Sequence, residues 1–372
     1  MKRKKHHILF TAVIVLFVSS CTPERPSTQH REVMITGIIN EGKFNAGEGE
    51  LSFYYEEEKE MINNVFHAFN GMALGASIQA VNLSPVGVLA LVCNAPDKVH
   101  FVDAVTGKLL LTDPFTDELE TPRGIALAES NYSVSTAFIT NWGEARKIGE
   151  WPNGMPMNDY PNAYFLVLDL SNQPTVHKKV PCGNTAEGIL LYQNRLYVAV
   201  LDGVKVYNYT ALDSIAMIKA ETLGGAARQL VAGANNKIWV SVQGAGIMGF
   251  SSFDYSNKTE YSFAMNYDGK MDISADGAYI YSYDTDYTNS SASTAVYKVN
   301  LTTGEQTMLF SEENDIYGIG VNPFTGRIYT ANPHSYIANS TVSVYNDDGS
   351  LHDSVTSGIL TSGFLFVNYL TD

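Results

Sequence analysis

The feature that most restricts this chain is a unit of four short apolar runs that recurs along most of its 372 residues. In YGIGVNP, RIYTA, TVSVY and LHDSVT each run is rich in β-branched and aromatic residues. Each is bounded by Gly, Pro, Asn or Asp, as strands joined by tight turns are. The same order occurs upstream in KMDISADGAYIYSYD with AVYKVNLTTGEQTMLF, in ARQLVAGANNKIWVSV with GIMGFSS and KTEYSF, and in AEGILLYQNRLYVAV with GVKVYNYTALDSIAMI. It occurs again in PRGIALA, STAFITNW, AYFLVLDL and TVHKKV, and in SIQAVNLSPVGVLALVC with KVHFVDAVTGKLLLT. The units begin near Ser77, Arg123, Ala186, Ala227, Lys270 and Tyr317, so the spacings are 46, 63, 41, 43 and 47 residues. Periods of roughly 40–50 residues with four strands each are those of propeller blades. The long spacing contains one insertion, Gly143 to Asn162.

The ends supply a seventh unit. GFLFVN near the C-terminus matches a first strand with nothing after it, whereas VMITGIIN, ELSFYYEEE and NNVFHAF match second, third and fourth strands with no first strand before them. The expected fold is therefore all-β: a seven-bladed β-propeller of four-stranded blades, spanning residues 32–372, its ring closed by strands from both termini. Closure of that kind leaves no open sheet edge to recruit other chains.

The first twenty residues stand apart. MKRKKHH is basic and ILFTAVIVLFV is an apolar run too short for a comfortable membrane span, so residues 1–20 read as a signal peptide. Val18-Ser19-Ser20-Cys21 is similar to a bacterial lipobox, which makes Cys21 the expected lipid anchor and residues 21–31 a polar tether. Without residues 1–20 the formal charge moves from −15 to −19. Nucleic acid is a poor partner for such a chain, because phosphate contacts need clustered Lys and Arg. Cys93 and Cys182 either pair or sit as two buried thiols.

NEGKFNAGEGELSFYY, NNVFHAFNGMALGASIQAV, ETPRGIAL and IYGIGVNPFTGRIYTAN together resemble the YncE-like propellers of Bacteroidetes lipoproteins, the DUF5074 group. The resemblance implies an outer-membrane lipoprotein, anchored through its lipid and facing the cell surface. It also implies a ligand, cobalamin or another corrinoid before other large small molecules, and a TonB-dependent transporter that receives it. The expected protein binds without catalysis and without a cofactor. A lactonase-type or lyase-type propeller enzyme and a protein- or glycan-binding module stand as alternatives.

In a propeller the first strand of each blade lines the central channel. The loops joining strands two and three share a face with those leading into the next blade, and that face is the usual ligand platform. Here the long loops carry aromatics: Trp142, Trp151 and Tyr160 in one, Tyr283 and Tyr287 in the second, His334 and Tyr336 in the third, with Phe44 in the loop near the start. Aromatics supply large contact area at low entropic cost, and Tyr and Trp keep a polar handle; the other reading is that each packs its own loop. Arg123 and Arg228 follow the starts of first strands. They are expected to meet an anionic group of a ligand, or else channel acids such as Glu187 or Asp272. Asp284, Asp286 and Asn289 lack the spacing of a calcium loop and read as solvated. No hydrolase elbow, zinc-protease or P-loop motif is present. Pro323 to Gly326 read as a structural turn.

Overall fold

Each repeat folds as an antiparallel meander because its runs are separated by residues suited to tight turns. At Asn322–Arg327 the turn closes through Asn322 N–H donating to Arg327 O at 2.8 Å, with Gly326 at φ +73°. In this computed structural model the described residues are 31–43, 46–152, 154–221, 223–288 and 292–371. They form seven blades, and the order of strands in each runs outward from the channel.

The inner strands are Ser77–Leu83, Pro122–Ser130, Ile189–Tyr192, Ala227–Ala232, Met271–Ile273, Gly318–Val321 and Thr361–Thr371, for blades 1 to 7. The last of these pairs antiparallel with Arg31–Asn40, in register from Arg31 opposite Thr371 to Asn40 opposite Thr361, so the two ends of the chain share blade 7. Middle strands are covered by neighbouring blades on both faces and read as continuous apolar runs. Val88–Asn94 and Lys237–Val242 are buried at almost every position. Inner strands keep more polar residues because one side faces the channel.

Two segments differ from the sequence expectation. NNVFHAF is not a strand: Val65–Asn70 is a short helix, and the fourth strand of blade 7 is Glu60–Ile62. The cause is a contact from elsewhere in the chain. The Glu50 carboxylate accepts the backbone N–H groups of Phe66 (2.8 Å) and His67 (3.2 Å), the orphan donors of the helix's first turn, while Phe66 is fully buried. In blade 1 the GKLLLT run makes only isolated bridges, Val102 with Leu109 and, further on, Val99 with Phe115, so three regular strands are present. The Gly143–Asn162 insertion contains its own hairpin, Arg146–Glu150 with Pro156–Asp159. Cys93 and Cys182 are both free and buried, and burial pushes each thiol up to about 12.

The channel opens at both ends. The lower funnel, about 520 Å³, lies by the turns between first and second strands and is lined largely by small and apolar residues. The upper funnel, about 480 Å³, lies where the inner strands begin, on the face of the long loops. Asp272 lines both.

Candidate functional site

The upper funnel owes its polar lining to irregularities in pairing. In blade 1 the register shifts between Ile78 and Ala80, in blade 2 between Pro122 and Gly124, in blade 4 between Ala227 and Leu230, and in blade 7 the inner strand passes from Thr361 to Gly363 opposite Asn40 and Ile39. The residues that these bulges leave without a ladder partner are Gln79, Arg123, Arg228 with Gln229, and Ser362. All of them line the funnel. A bulge bends the strand and re-aims its side chain, so the same device repeated in four blades turns four inner strands' polar residues toward one mouth.

On the wall of blades 2 to 4, Arg123 and Arg228 converge on Glu187. Arg123 Nε lies 3.2 Å from Glu187 Oε2, and Arg228 Nη1 bonds Glu187 Oε1. Arg228 Nε also donates to Gln243 Oε1 at 3.1 Å. The Arg123 guanidinium lies 4.2 Å from the Trp142 ring, which in turn packs on Tyr160 at 4.4 Å between centroids. The pair is partly desolvated, with the two Arg side chains about 20% exposed and Glu187 10%. Held by a carboxylate and an indole, Arg123 loses little further freedom when it binds an anion. Of the two acids expected to meet these arginines, Glu187 does so.

On the wall of blades 5 to 7, Tyr317 organises two ionisable groups. Its hydroxyl donates to Glu41 Oε2 at 3.2 Å. Its carbonyl accepts from Lys270 Nζ at 2.6 Å, and the same ammonium lies 3.4 Å from its ring centroid. Ser362 also bonds Glu41. Burial pushes the Glu41 carboxyl above its ordinary range, opposed by the nearby Lys270 charge, and pushes Lys270 below its ordinary range. At the waist, burial raises Asp272 to about 6 although Val321 N–H (2.7 Å) and Ile273 N–H (2.8 Å) both donate to it.

Arg123, Arg228, Trp142 and Tyr160 thus come together at the mouth. The other sequence-derived candidates do not join them. Trp151 sits on the inserted hairpin, 51% exposed, its N–H bonded to Met155 O. Tyr283 is 3% exposed, beneath the surface of blade 5. Tyr287 and Tyr336 both bond Asp315, and Tyr336 packs edge-on against Tyr317 at 5.8 Å. His334 Nε2 is 2.9 Å from Thr341 Oγ1. Phe44 and Cys21 lie outside the described residues, as does Asn289. Among the described residues no group of three or more His, Cys, Asp or Glu is placed to hold a metal ion.

Glu41, Lys270, Tyr317 and the glutamines went unmarked in the sequence. Lys270 and Tyr317 are the first residues of their repeats, and Glu41 belongs to the NEG-x-F stretch. Aligning the repeats on their first positions holds the signal for Lys270 and Tyr317 alone; Glu41 lies after a second strand, and Gln79 and Gln229 lie inside inner strands.

No family model matches the chain, and no curated protein matches it in sequence. Solved structures do share its fold. A protein of Bacteroides fragilis described as a candidate 6-phosphogluconolactonase has 12% identity, with 92% of this chain and 100% of that one covered at a TM-score of 0.62. The periplasmic gluconolactonase of Pseudomonas aeruginosa has 12% identity, with 90% and 99% covered at 0.59. The hydrazine synthase of Kuenenia stuttgartiensis has 13% identity, with 77% and 88% covered at 0.57. At such identities the likeness establishes the fold, a seven-bladed propeller. It also corrects one expectation drawn from the sequence: the chain was expected to be no enzyme, yet the propellers that superpose on it over nearly their whole length include ones named for lactone hydrolysis.

Proposed function

We propose that the upper funnel binds a small polyhydroxylated carboxylic acid or its lactone, and that it hydrolyses the lactone. The observation that carries this reading is the convergence of Arg123 and Arg228 on the single carboxylate of Glu187 at the mouth of a polar funnel. Two guanidiniums against one carboxylate present a surplus of N–H donors in planar forks, the geometry suited to a ligand carboxylate. Asp272, the acid at the waist, is pushed toward its neutral form by burial and opposes that anion less. Gln79, Gln229 and Ser362 add neutral polar groups for hydroxyls. A volume of about 480 Å³ suits a ligand of sugar size. The names of two structural neighbours point to the same substrate class.

A corrinoid is a different kind of occupant. It would rest on the rim, against the tilted ring pair of Trp142 and Tyr160, and handover to a TonB-dependent transporter from a lipid-anchored protein would start from there. Calorimetric titration of the purified protein with D-gluconate and with cyanocobalamin separates the two, alongside proton release from glucono-δ-lactone. Saturable heat with gluconate and lactone turnover above the spontaneous rate are expected. Heat with cyanocobalamin alone would replace the acid-and-lactone reading by the rim reading.

A further inference from the structure

We propose that Glu41 is the general base and Lys270 the general acid of lactone opening, both set in place by Tyr317. This rests on the reading of the funnel as a lactone site and assigns its chemistry to the wall of blades 5 to 7, across the funnel from the arginine clamp. The geometry is specific. One tyrosine fixes the carboxylate through its hydroxyl (3.2 Å) and the ammonium through its carbonyl (2.6 Å) and ring face (3.4 Å). Both groups line the same funnel as Arg123, whose charge acts on each of them. A carboxylate and an ammonium brought to one wall of a water-accessible cavity are the two proton carriers that hydrolysis needs.

The step balances without a further reactant. A water oxygen attacks the lactone carbonyl carbon and gives a proton to the Glu41 carboxylate. Arg123 supplies positive charge to the oxyanion that forms. When the carbonyl re-forms, the ring C–O bond breaks and the departing oxygen takes a proton from the Lys270 ammonium. The product is the open-chain hydroxy acid. Transfer of the proton from Glu41 to Lys270 restores the starting state, and the new carboxylic acid ionises to leave an anion beside Arg123 and Arg228. Burial moves the two groups toward each other on the pH scale, Glu41 up and Lys270 down, which brings both nearer the pH at which they must exchange protons.

The test follows proton release from glucono-δ-lactone, with D-gluconate binding by calorimetry as a second readout. Glu41→Gln is expected to lower kcat about a hundredfold or more while KM and gluconate affinity stay within a few-fold. Lys270→Met is expected to lower kcat as well. Tyr317→Phe keeps the ring and the carbonyl but removes the hydroxyl that favours the ionised form of Glu41. Its acid limb of kcat/KM should therefore move to higher pH. Wild-type protein no faster than spontaneous hydrolysis overturns the lactone reading and this assignment with it. Clear wild-type turnover that Glu41→Gln leaves intact overturns the assignment alone. If Glu41→Gln does not fold, an unmoved pH profile in Tyr317→Phe overturns it.

Discussion

Arg327 of blade 6 forms an ion pair with Glu56 of blade 7, across the seam where the ring closes. Glu56 follows the strand Glu50–Tyr55 and is 5% exposed; the Tyr329 hydroxyl donates to its other carboxylate oxygen. Two donors from blade 6 therefore depend on one buried carboxylate from the N-terminal part of the chain. Removing one partner of such a network leaves the others desolvated and unpaired. Glu56→Ala is expected to destabilise the protein by about 3 kcal/mol, read as a lower midpoint in urea with an unchanged slope. A loss within about 0.5 kcal/mol, the range of ordinary surface substitutions, would mean that water enters the seam and replaces the carboxylate.

The ring also depends on its last strand. Thr361 Oγ1 donates to Asn40 Oδ1 at 2.7 Å, and Asn40 Nδ2 reaches Ser52 Oγ at 2.9 Å, so the C-terminal strand is tied to the second and third strands of its blade. Deleting residues 360–372 would bare the Arg31–Asn40 strand and uncover Ile35 and Ile38, both 0% exposed. An uncovered strand edge with apolar neighbours recruits other chains. The truncated protein is expected to elute as aggregates in size-exclusion chromatography. A monodisperse monomer with native circular dichroism would show that a seventh blade of three strands suffices to close the ring.

How much of this was legible in the sequence follows from the range of each interaction. The blade period rests on turn residues and alternation, which are local, and the shared seventh blade followed from unmatched strands at the two ends. The helix at Val65–Asn70 was misread as a strand because its determinant, Glu50, lies 16 residues from Phe66. Arg123 and Arg228 could be picked out because they sit next to the starts of repeats. The bulges that aim them could not, since a one-residue slip shows only once both partner strands are aligned. Tyr283 was assigned to a loop, but it lies in the strand Tyr279–Asp286, within a run of four buried residues that begins at Ile280. Trp151 lay in the right loop, but pairing within the insertion carries it onto a separate hairpin.

The arginine clamp makes a prediction about ligand affinity. Arg123 donates to Glu187 and lies over Trp142, so Arg123→Met keeps most of the stem packing while removing the charge. A charge-assisted hydrogen bond contributes roughly 1.5–3 kcal/mol. Gluconate affinity should fall about tenfold or more, and the remaining affinity should depend less on salt than the wild type's. Equal affinity and equal salt dependence in calorimetry would place the ligand's anionic group elsewhere in the funnel.

Asp272 predicts how stability changes with pH. Burial raises its carboxyl from an ordinary 3.8 to about 6 in the folded protein, against the pull of two backbone amides. A raised folded value means that the native state binds the proton more tightly than the unfolded chain. The associated stability is fully present below about 3.8 and is lost as pH rises through about 6. Asp272→Asn carries no titrating group and should lack that part of the slope. Asparagine has a single acceptor oxygen, so one of the amides of Ile273 and Val321 loses its partner, which adds an offset that does not vary with pH. The slope, not the offset, is therefore the measurement. Urea unfolding of both proteins at several pH values between 4 and 7 should show the wild type losing stability relative to the variant as pH rises. Parallel curves across that interval would mean that Asp272 is solvated through the channel and titrates as an ordinary carboxylate.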